Sequence, residues 1–391
     1  MPDNTSAAQL LADAAEFVPP PDYRWTRSVS TKSLPDTNVT SLAQRVKGLL
    51  GGQHILLPDH DTLVQRCISA LLVGHLILQG PPGTGKTTLA RALAGAFEAD
   101  LETTTATSEW SPFQVVGGLR PNADGGLEPM LGAVPRAALK CAESVRDQPE
   151  TNETGSTAGP VATWLLIDEF NRADIDKAIG SLYTLLSSAD PEHVASTPVD
   201  LWFENDQNCG RLWVPARFRI IGTMNDLDTN YVSPMSQGLR RRFQFVTVGV
   251  PITGATSEQP VSDEVSHAFS GAQAWLSGTY PDRSPVAEDD VNDTLSSLQR
   301  VLDGLRRPAA TGVQGWPVGT AQAVDVLKVL LLSVSPSERK SLDLAVADRM
   351  VAQMNTVNKN QFLAFTTLLE SEGLETSAHE LRHLYRPYST T

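Results

Sequence analysis

The chain has 391 residues, enough at roughly 150 residues per domain for two or three domains with full hydrophobic cores, so it is not a small scaffold that depends on disulfide staples. Thirty-one Lys and Arg against 45 Asp and Glu leave a net charge of −14, which argues against a general affinity for nucleic-acid backbones or anionic membranes. A hydrophobic content of 41% with 19% charged residues is that of a globular chain and excludes disorder throughout.

Residues 1–40 are rich in Pro, Ser, Thr, Asp and Asn, including Pro19-Pro20-Pro21, and read as an arm or linker. Leu63, Val64, Ile68, Leu71 and Leu72 then fall at helical spacing, and Leu76-Ile77-Leu78 is a short buried strand ending at Gly80. Thr87 to Phe97 continues as a helix. Ser144 to Ala162 is polar and turn-rich, so it reads as a mobile surface loop. Trp164 to Ile167 and Phe218 to Gly222 are further strands, with helical patterns between them. This alternation predicts an α/β domain with a mainly parallel sheet. Composition turns to Pro, Gly, Ser and Thr at Pro251–Pro260, and beyond it every pattern is helical, through Leu295, Leu298 and Leu302, Val324, Leu327 and Leu331, and Met350 and Met354. The predicted organisation is therefore an arm over 1–44, an α/β domain over 45–255 and a smaller all-α domain over 256–391.

Cys67, Cys141 and Cys209 are widely spaced and include no CxxC pair, which gives neither a disulfide framework nor a cysteine zinc site. Met1 to Val18 lacks the pattern of a signal peptide, and no apolar run approaches 18 residues. The expected location is the cytoplasm, away from membranes.

Gly80-Pro81-Pro82-Gly83-Thr84-Gly85-Lys86-Thr87 spells G-x-x-x-x-G-K-[ST] between a predicted strand and a predicted helix, the context that this phosphate-binding loop requires. The glycines let backbone N–H groups wrap a phosphate, with Thr88 continuing into the helix N-terminus, whose dipole favours the anion. Lys86 would neutralise β/γ-phosphate charge and Thr87 would hold Mg²⁺. A Gly-rich turn with a solvated lysine would spell the same letters without these flanks. Asp168-Glu169 ends the second apolar strand, where the carboxyl ends of parallel strands face the ligand crevice. Asp168 can bind Mg²⁺, through water, and Glu169 can polarise an attacking water. Alone, two acids at a strand end would read as a solvated exit. Ile220 to Met224 leads to Asn225, an amide placed to orient that water, and Arg240-Arg241-Arg242 follows shortly after. An isolated arginine run is a solvated face. After a catalytic strand it can instead supply an arginine across a subunit boundary, since phosphoryl transfer is catalysed mainly by electrostatics and positioning.

Gly80–Thr87, Leu165–Glu169, Thr223–Asn225 and Leu239–Phe243, in that order, resemble the AAA+ ATPases, in the branch of the MoxR-like and McrB-like proteins, over roughly residues 45–385. Asp168-Glu169-Phe170-Asn171-Arg172-Ala173 is similar to the extended Walker B signature of MoxR-like members; Gly222–Asn225 and Leu239–Phe243 are closer to McrB-like members. The resemblance implies a P-loop NTPase core of three αβα layers with a parallel sheet, followed by an all-α lid, with ATP and Mg²⁺ as cofactors. It also implies that Asn225 is sensor 1, that Arg241 or Arg242 is the arginine finger, with Arg240 beside them, and that the chain forms a homo-oligomer, a hexamer. The implied activity is ATP hydrolysis that remodels or activates a protein partner, often one with a von Willebrand A domain. Gly117–Leu131, with a turn at Asp124-Gly125-Gly126, occupies the place of a hairpin inserted in this branch, where it faces the central pore or a partner. Two departures stand out. Gln322 replaces the usual lid arginine at sensor 2, removing the residue through which nucleotide would drive the lid. Met224-Asn225-Asp226-Leu227-Asp228 departs from the Met-Asn-Thr-x-Asp signature of GTP-using McrB proteins, so ATP is the expected nucleotide.

A McrB-like motor that translocates DNA for a nuclease is the alternative enzyme; acidity and the lack of a DNA-binding pattern in residues 1–45 weigh against it. A nucleotide-gated module with little turnover is the non-enzyme alternative, supported only by Gln322. His379-Glu380-Leu381-Arg382-His383 spells the zinc-protease pattern H-E-x-x-H, but only Leu384–Thr391 follows, with no third ligand, so a solvated terminal helix is expected. Trp202, Trp213, Trp275 and Trp316 are scattered and are assigned to packing, Asp289-Asp290 and Glu258 to surface charge, and His54, His60, His75, His193 and His267 show no metal-ligand spacing.

Overall fold

The structure, a computed structural model, describes residues 22–51, 57, 59–123, 125–148, 159–204, 210–225, 235–250 and 261–385. Several expectations lie outside the described residues: the arm over 1–21, His54, the turn residue Asp124, the loop over 149–158, Cys209, the Asp226–Asp228 departure, and the linker over 251–260 with Glu258.

Nine strands occur among the described residues: β1 (His75–Gly80), β2 (Ala99–Thr105), β3 (Gly117–Pro121), β4 (Leu127–Leu131), β5 (Ala162–Asp168), β6 (Val199–Asp200), β7 (Arg211–Leu212), β8 (Ile220–Asn225) and β9 (Phe243–Thr247). Five form one sheet in the order β2-β5-β8-β1-β9, and the pairs β5–β8, β8–β1 and β1–β9 are parallel. The central strands are nearly unbroken apolar runs because both faces of such a sheet are covered. Leu76, Ile77, Leu78, Leu166, Ile167, Ile220 and Ile221 are all fully buried.

By contacts the chain divides into two compact units. One comprises Pro35–Ser108, Trp164–Ala173 and Arg219–Thr391. It holds the five-stranded sheet with helices Val39–Leu50, His60–Val73 and Lys86–Ala96. The first helix starts where the sequence supplies an Asn cap, the Asn38 side chain accepting from Ser41 N–H at 3.0 Å. Six further helices, Val261–Thr279, Asn292–Arg306, Thr320–Leu332, Arg339–Arg349, Lys359–Ser371 and Glu375–Leu384, close on a second apolar cluster that includes Leu298, Leu302, Leu327, Leu330, Phe365 and Leu381. The unit therefore joins an α/β core to an all-α lid. Cys67 is buried in it, and burial pushes its thiol up to about 12. On the terminal helix His379, Glu380 and His383 are exposed, as the solvated-helix expectation requires.

A fully buried ion pair crosses the lid. Arg306 donates through Nη1 to Glu264 Oε2 at 2.6 Å and through Nη2 to Oε1 at 2.9 Å, while its Nε and Nη2 also reach the Val318 carbonyl. Removing one partner of such a pair leaves an uncompensated buried charge, so Arg306→Met is expected to destabilise the chain by roughly 3–5 kcal/mol, read as a lowered urea midpoint.

His75 opens β1 with its ring buried against Phe243 and its Nδ1 accepting from Ile220 N–H at 3.0 Å. Burial, with Arg219 nearby, holds its imidazole down to about 3. Below about pH 6.5 the unfolded chain therefore binds a proton that the folded chain refuses, and stability falls as pH drops from there toward 3, by about 1.4 kcal/mol per pH unit. Between pH 6.5 and 5.5, where the unfolded imidazole goes from half to almost fully protonated, wild type is expected to lose about 1 kcal/mol more unfolding free energy than His75→Gln, which removes the titration; equal losses would contradict the assignment.

The other unit comprises Met1–Leu34, Glu109–Thr163 and Asp174–Phe218. Residues 22–34, which composition assigns to an arm, are packed into it. Tyr23 and Val29 are buried, the Tyr23 hydroxyl donates to Glu204 at 3.2 Å, and Trp213 N–H donates to Thr26 Oγ1 at 2.9 Å. Arg146 stacks over Trp25 at 4.7 Å. Turn-forming composition is no bar to burial when a 3-10 helix, Arg24–Val29, satisfies the backbone locally. Burial and the Glu204 carboxylate raise the Tyr23 hydroxyl well above its usual range. The expected hairpin is present as antiparallel β3 and β4, and a second short hairpin, β6–β7, was not signalled. Trp202, assigned to packing from sequence, is 70% exposed beside that hairpin; its only ring neighbour is Phe203 among the described residues. No helix among the described residues is long and apolar enough to cross a membrane.

Candidate functional site

The loop after β1 is shaped by a close approach. A Cβ on Gly80 would lie 2.1 Å from the Val248 carbonyl oxygen, so only glycine fits there. Gly83 and Gly85 take left-handed backbone (φ 76° and 82°), turning the chain through Pro81 and Pro82 into helix Lys86–Ala96. Thr84 Oγ1 donates to Pro81 O at 3.0 Å. Lys86 is 7% exposed and its ammonium donates to Gly80 O at 2.9 Å and Pro81 O at 2.6 Å, which holds the charge inside the loop. Thr87 and Thr88 are half-buried in the first helical turn.

Sheet register supplies the rest. Gly80 pairs with Asn225, so β1 and β8 end level, and Ile167 pairs with Gly222, so β5 ends beside β8 with Asp168 at the height of Thr223. Asp168 thereby meets Thr87, with Oγ1 3.3 Å from Oδ1, and accepts a hydrogen bond from the Thr223 hydroxyl. Thr223 Oγ1 also accepts from Glu169 N–H at 3.2 Å. Glu169 is held in the left-handed region at φ 55°, a conformation costing a non-glycine residue about 1–2 kcal/mol, which turns its side chain sharply off the strand. Its carboxylate is held on both oxygens, by Asn225 Nδ2 at 2.8 Å and by Arg172 Nε at 3.0 Å. Asn171 Nδ2 donates to the Asn225 carbonyl at 3.1 Å, while its Oδ1 is buried with no partner among the described residues.

Lys86, Thr87, Asp168, Glu169 and Asn225 are thus brought together from three separate strand ends. Thr223, Asn171 and Arg172 join them; the sequence places all three inside its motifs but assigns none of them a role. The paired hydroxyl and carboxylate oxygens of Thr87 and Asp168 are hard donors suited to Mg²⁺. No group of three or more His, Cys, Asp or Glu among the described residues could hold a metal alone.

The arginines lie elsewhere. Phe243, at the start of β9, pairs with His75, so Arg240–Arg242 sit at the amino end of β1, roughly 17 Å along the strand from Gly80 at about 3.3 Å per residue. Arg240 is exposed over the Phe245 ring and Arg242 donates to the Gly238 carbonyl. Arg241 is exposed and makes no side-chain hydrogen bond or ion pair among the described residues. Gln322, by contrast, lies at the loop. Its side chain is 3.6 Å from where a Cβ on Gly83 would be, but it caps its own helix, Oε1 accepting from Gly319 N–H at 2.6 Å.

No curated protein sequence matches the chain. Residues 75–243, from the first residue of β1 to the first of β9, match the family described as AAA domain (dynein-related subfamily). That span contains the loop, both acidic residues and Asn225, in the order and on the elements described above. The chain carries an AAA domain of the dynein-related subfamily and is an ATP-hydrolysing AAA+ ATPase of that branch.

Proposed function

We propose that the chain is a MoxR-like ATPase that works as a homo-oligomeric ring, a hexamer, and spends each hydrolysis on remodelling a protein partner in the cytoplasm, one class of which carries a von Willebrand A domain. The domain order proposed with it is a nucleotide-binding domain over 45–255 and a lid over 256–391. The observation that carries this reading is the separation of Arg240–Arg242 from the phosphate loop of the same chain, at the other end of β1. A group placed there serves a neighbouring subunit's site, which explains why such a protein assembles.

In this reading Gly80–Gly85 and Thr88 wrap the phosphates, and Lys86 leaves its loop carbonyls to neutralise the β/γ oxygens. Thr87 and Asp168 hold Mg²⁺, which screens phosphate charge when bound. Glu169 polarises water for attack on the γ-phosphorus. The water oxygen forms the new bond, the bond from phosphorus to the β-bridging oxygen breaks, and the proton leaves through the carboxylate. Asn225 orients that carboxylate, and Arg241, with Arg240 and Arg242 beside it, faces the transferring phosphoryl group of the next protomer.

Mixing separates this reading from a site complete in one chain. Arg241→Ala subunits keep an intact Glu169, and Glu169→Gln subunits keep an intact Arg241. Each alone is expected to be nearly inactive, and mixing them is expected to restore turnover; no restoration, with Arg240→Ala and Arg242→Ala run in parallel, would refute the shared site. Retention of a protein partner by Glu169→Gln with ATP tests the remodelling role.

A further inference from the structure

Gln322 cannot contact phosphate as a cation, yet the lid touches the phosphate loop closely. A Cβ on Gly319 would lie 2.4 Å from both the carbonyl carbon and the carbonyl oxygen of Gly83, and 2.8 Å from Pro82 O. Ala321 N–H donates to the Gly83 carbonyl at 3.1 Å. Gly319 has φ −84° and ψ 163°, ordinary extended backbone, so its need for glycine comes from that contact and not from its own conformation. Behind this segment stands the buried pair. Arg306 grips the Val318 carbonyl, and Glu264 Oε1 accepts from Thr320 Oγ1 at 2.6 Å. Residues 318 and 320 are therefore tied, on either side of Gly319, to two different lid helices. Gln322 tightens the same turn by capping it, and its Nε2 donates to Gln353 at 2.7 Å.

We infer that Gly319 and Ala321 are positioning residues through which the lid acts on the phosphate loop by main-chain contact with Gly83, with Glu264 and Arg306 fixing the contacting turn, in place of a charged side chain on the nucleotide. This rests on the reading of Gly80–Thr87 as the nucleotide site. A loop whose glycine is held against a fixed turn changes shape only if the turn moves with it, so phosphate entering the loop is felt by the lid backbone.

The test compares wild type, Gly319→Ala and Gly304→Ala as full-length chains. The Gly304 methyl would meet the Leu368 side chain at 2.6 Å, at the edge of the lid core, and so perturbs the lid without touching the loop. Binding of ATP with Mg²⁺ is measured by calorimetry, kcat and KM by phosphate release, and folding by thermal midpoint. Gly319→Ala is expected to raise Kd and KM for ATP at least tenfold, and Gly304→Ala no more than twofold at a comparable loss of midpoint. An unchanged Kd in Gly319→Ala, or equal changes in both variants, overturns the inference. Hydrogen exchange on wild type guards against a variant that fails to fold: the peptide covering 319–322 is expected to exchange at least tenfold more slowly with MgATP, and unchanged exchange overturns the inference as well. A wild type that binds no ATP would instead overturn the nucleotide-site reading beneath it.

Discussion

Glu169→Gln is expected to lower kcat for ATP hydrolysis by roughly 10²–10⁴-fold while leaving the Kd for ATP within a few-fold of wild type. The substitution preserves shape and the hydrogen bond from Asn225 Nδ2, since the amide oxygen still accepts, but removes the charge that, in the proposed mechanism, takes the proton from water. It also removes the ion pair with Arg172, an exposed contact of modest energy, so the fold is expected to survive. Because Glu169 lies beyond the loop that holds phosphate, binding and turnover separate. Steady-state phosphate release and calorimetric titration on the same preparation check this. A variant that still turns over within tenfold of wild type would remove Glu169 from the proton transfer.

Lys86→Ala is expected to weaken ATP binding by at least roughly a hundredfold, about 3 kcal/mol, and to abolish measurable hydrolysis at cellular nucleotide concentrations. The ammonium is almost wholly buried and held by two carbonyls of its own loop, so the charge is already desolvated before phosphate arrives. A cation in that state interacts with an incoming anion more strongly than one in bulk water, because the local dielectric is low. Removing it loses that attraction and leaves Gly80 and Pro81 carbonyls without their donor. Calorimetry with MgATP reads the first effect, and a circular dichroism spectrum matching wild type shows that the second is local. Tight binding by the variant would remove Lys86 from the phosphate contact.

Much of the candidate site was legible because its parts are local. An apolar run ending in Gly80, another ending in Asp168-Glu169 and a third ending in Asn225 each encode a strand and the chemistry at its tip within a few residues. Thr223 lies inside a motif that the sequence shows, but its role depends on the register that sets it beside Asp168, and a single strand carries no record of its neighbour. Arg172 and Asn171 sat inside a recognised signature, but which atoms they hold depends on the turn forced by Glu169. Trp202 was misjudged for a related reason. A tryptophan is usually packed, and only the end of a short hairpin, itself without a sequence signal, leaves one in solvent.

The sequence by itself determined an α/β nucleotide-binding core, the residues that form its phosphate loop and acidic strand end, and a helical region after it, because hydrophobic period and turn chemistry act over distances of a few residues. The tertiary structure alone decided that β8 lies between β1 and β5, that the arginines stand at the opposite end of β1 from the loop, that Tyr23, Val29 and Leu34 are core, and that Gly319 rests on Gly83. Strand order and long-range contact follow from how whole elements bury their apolar faces together. That is a collective minimum of free energy which no short stretch of chain specifies.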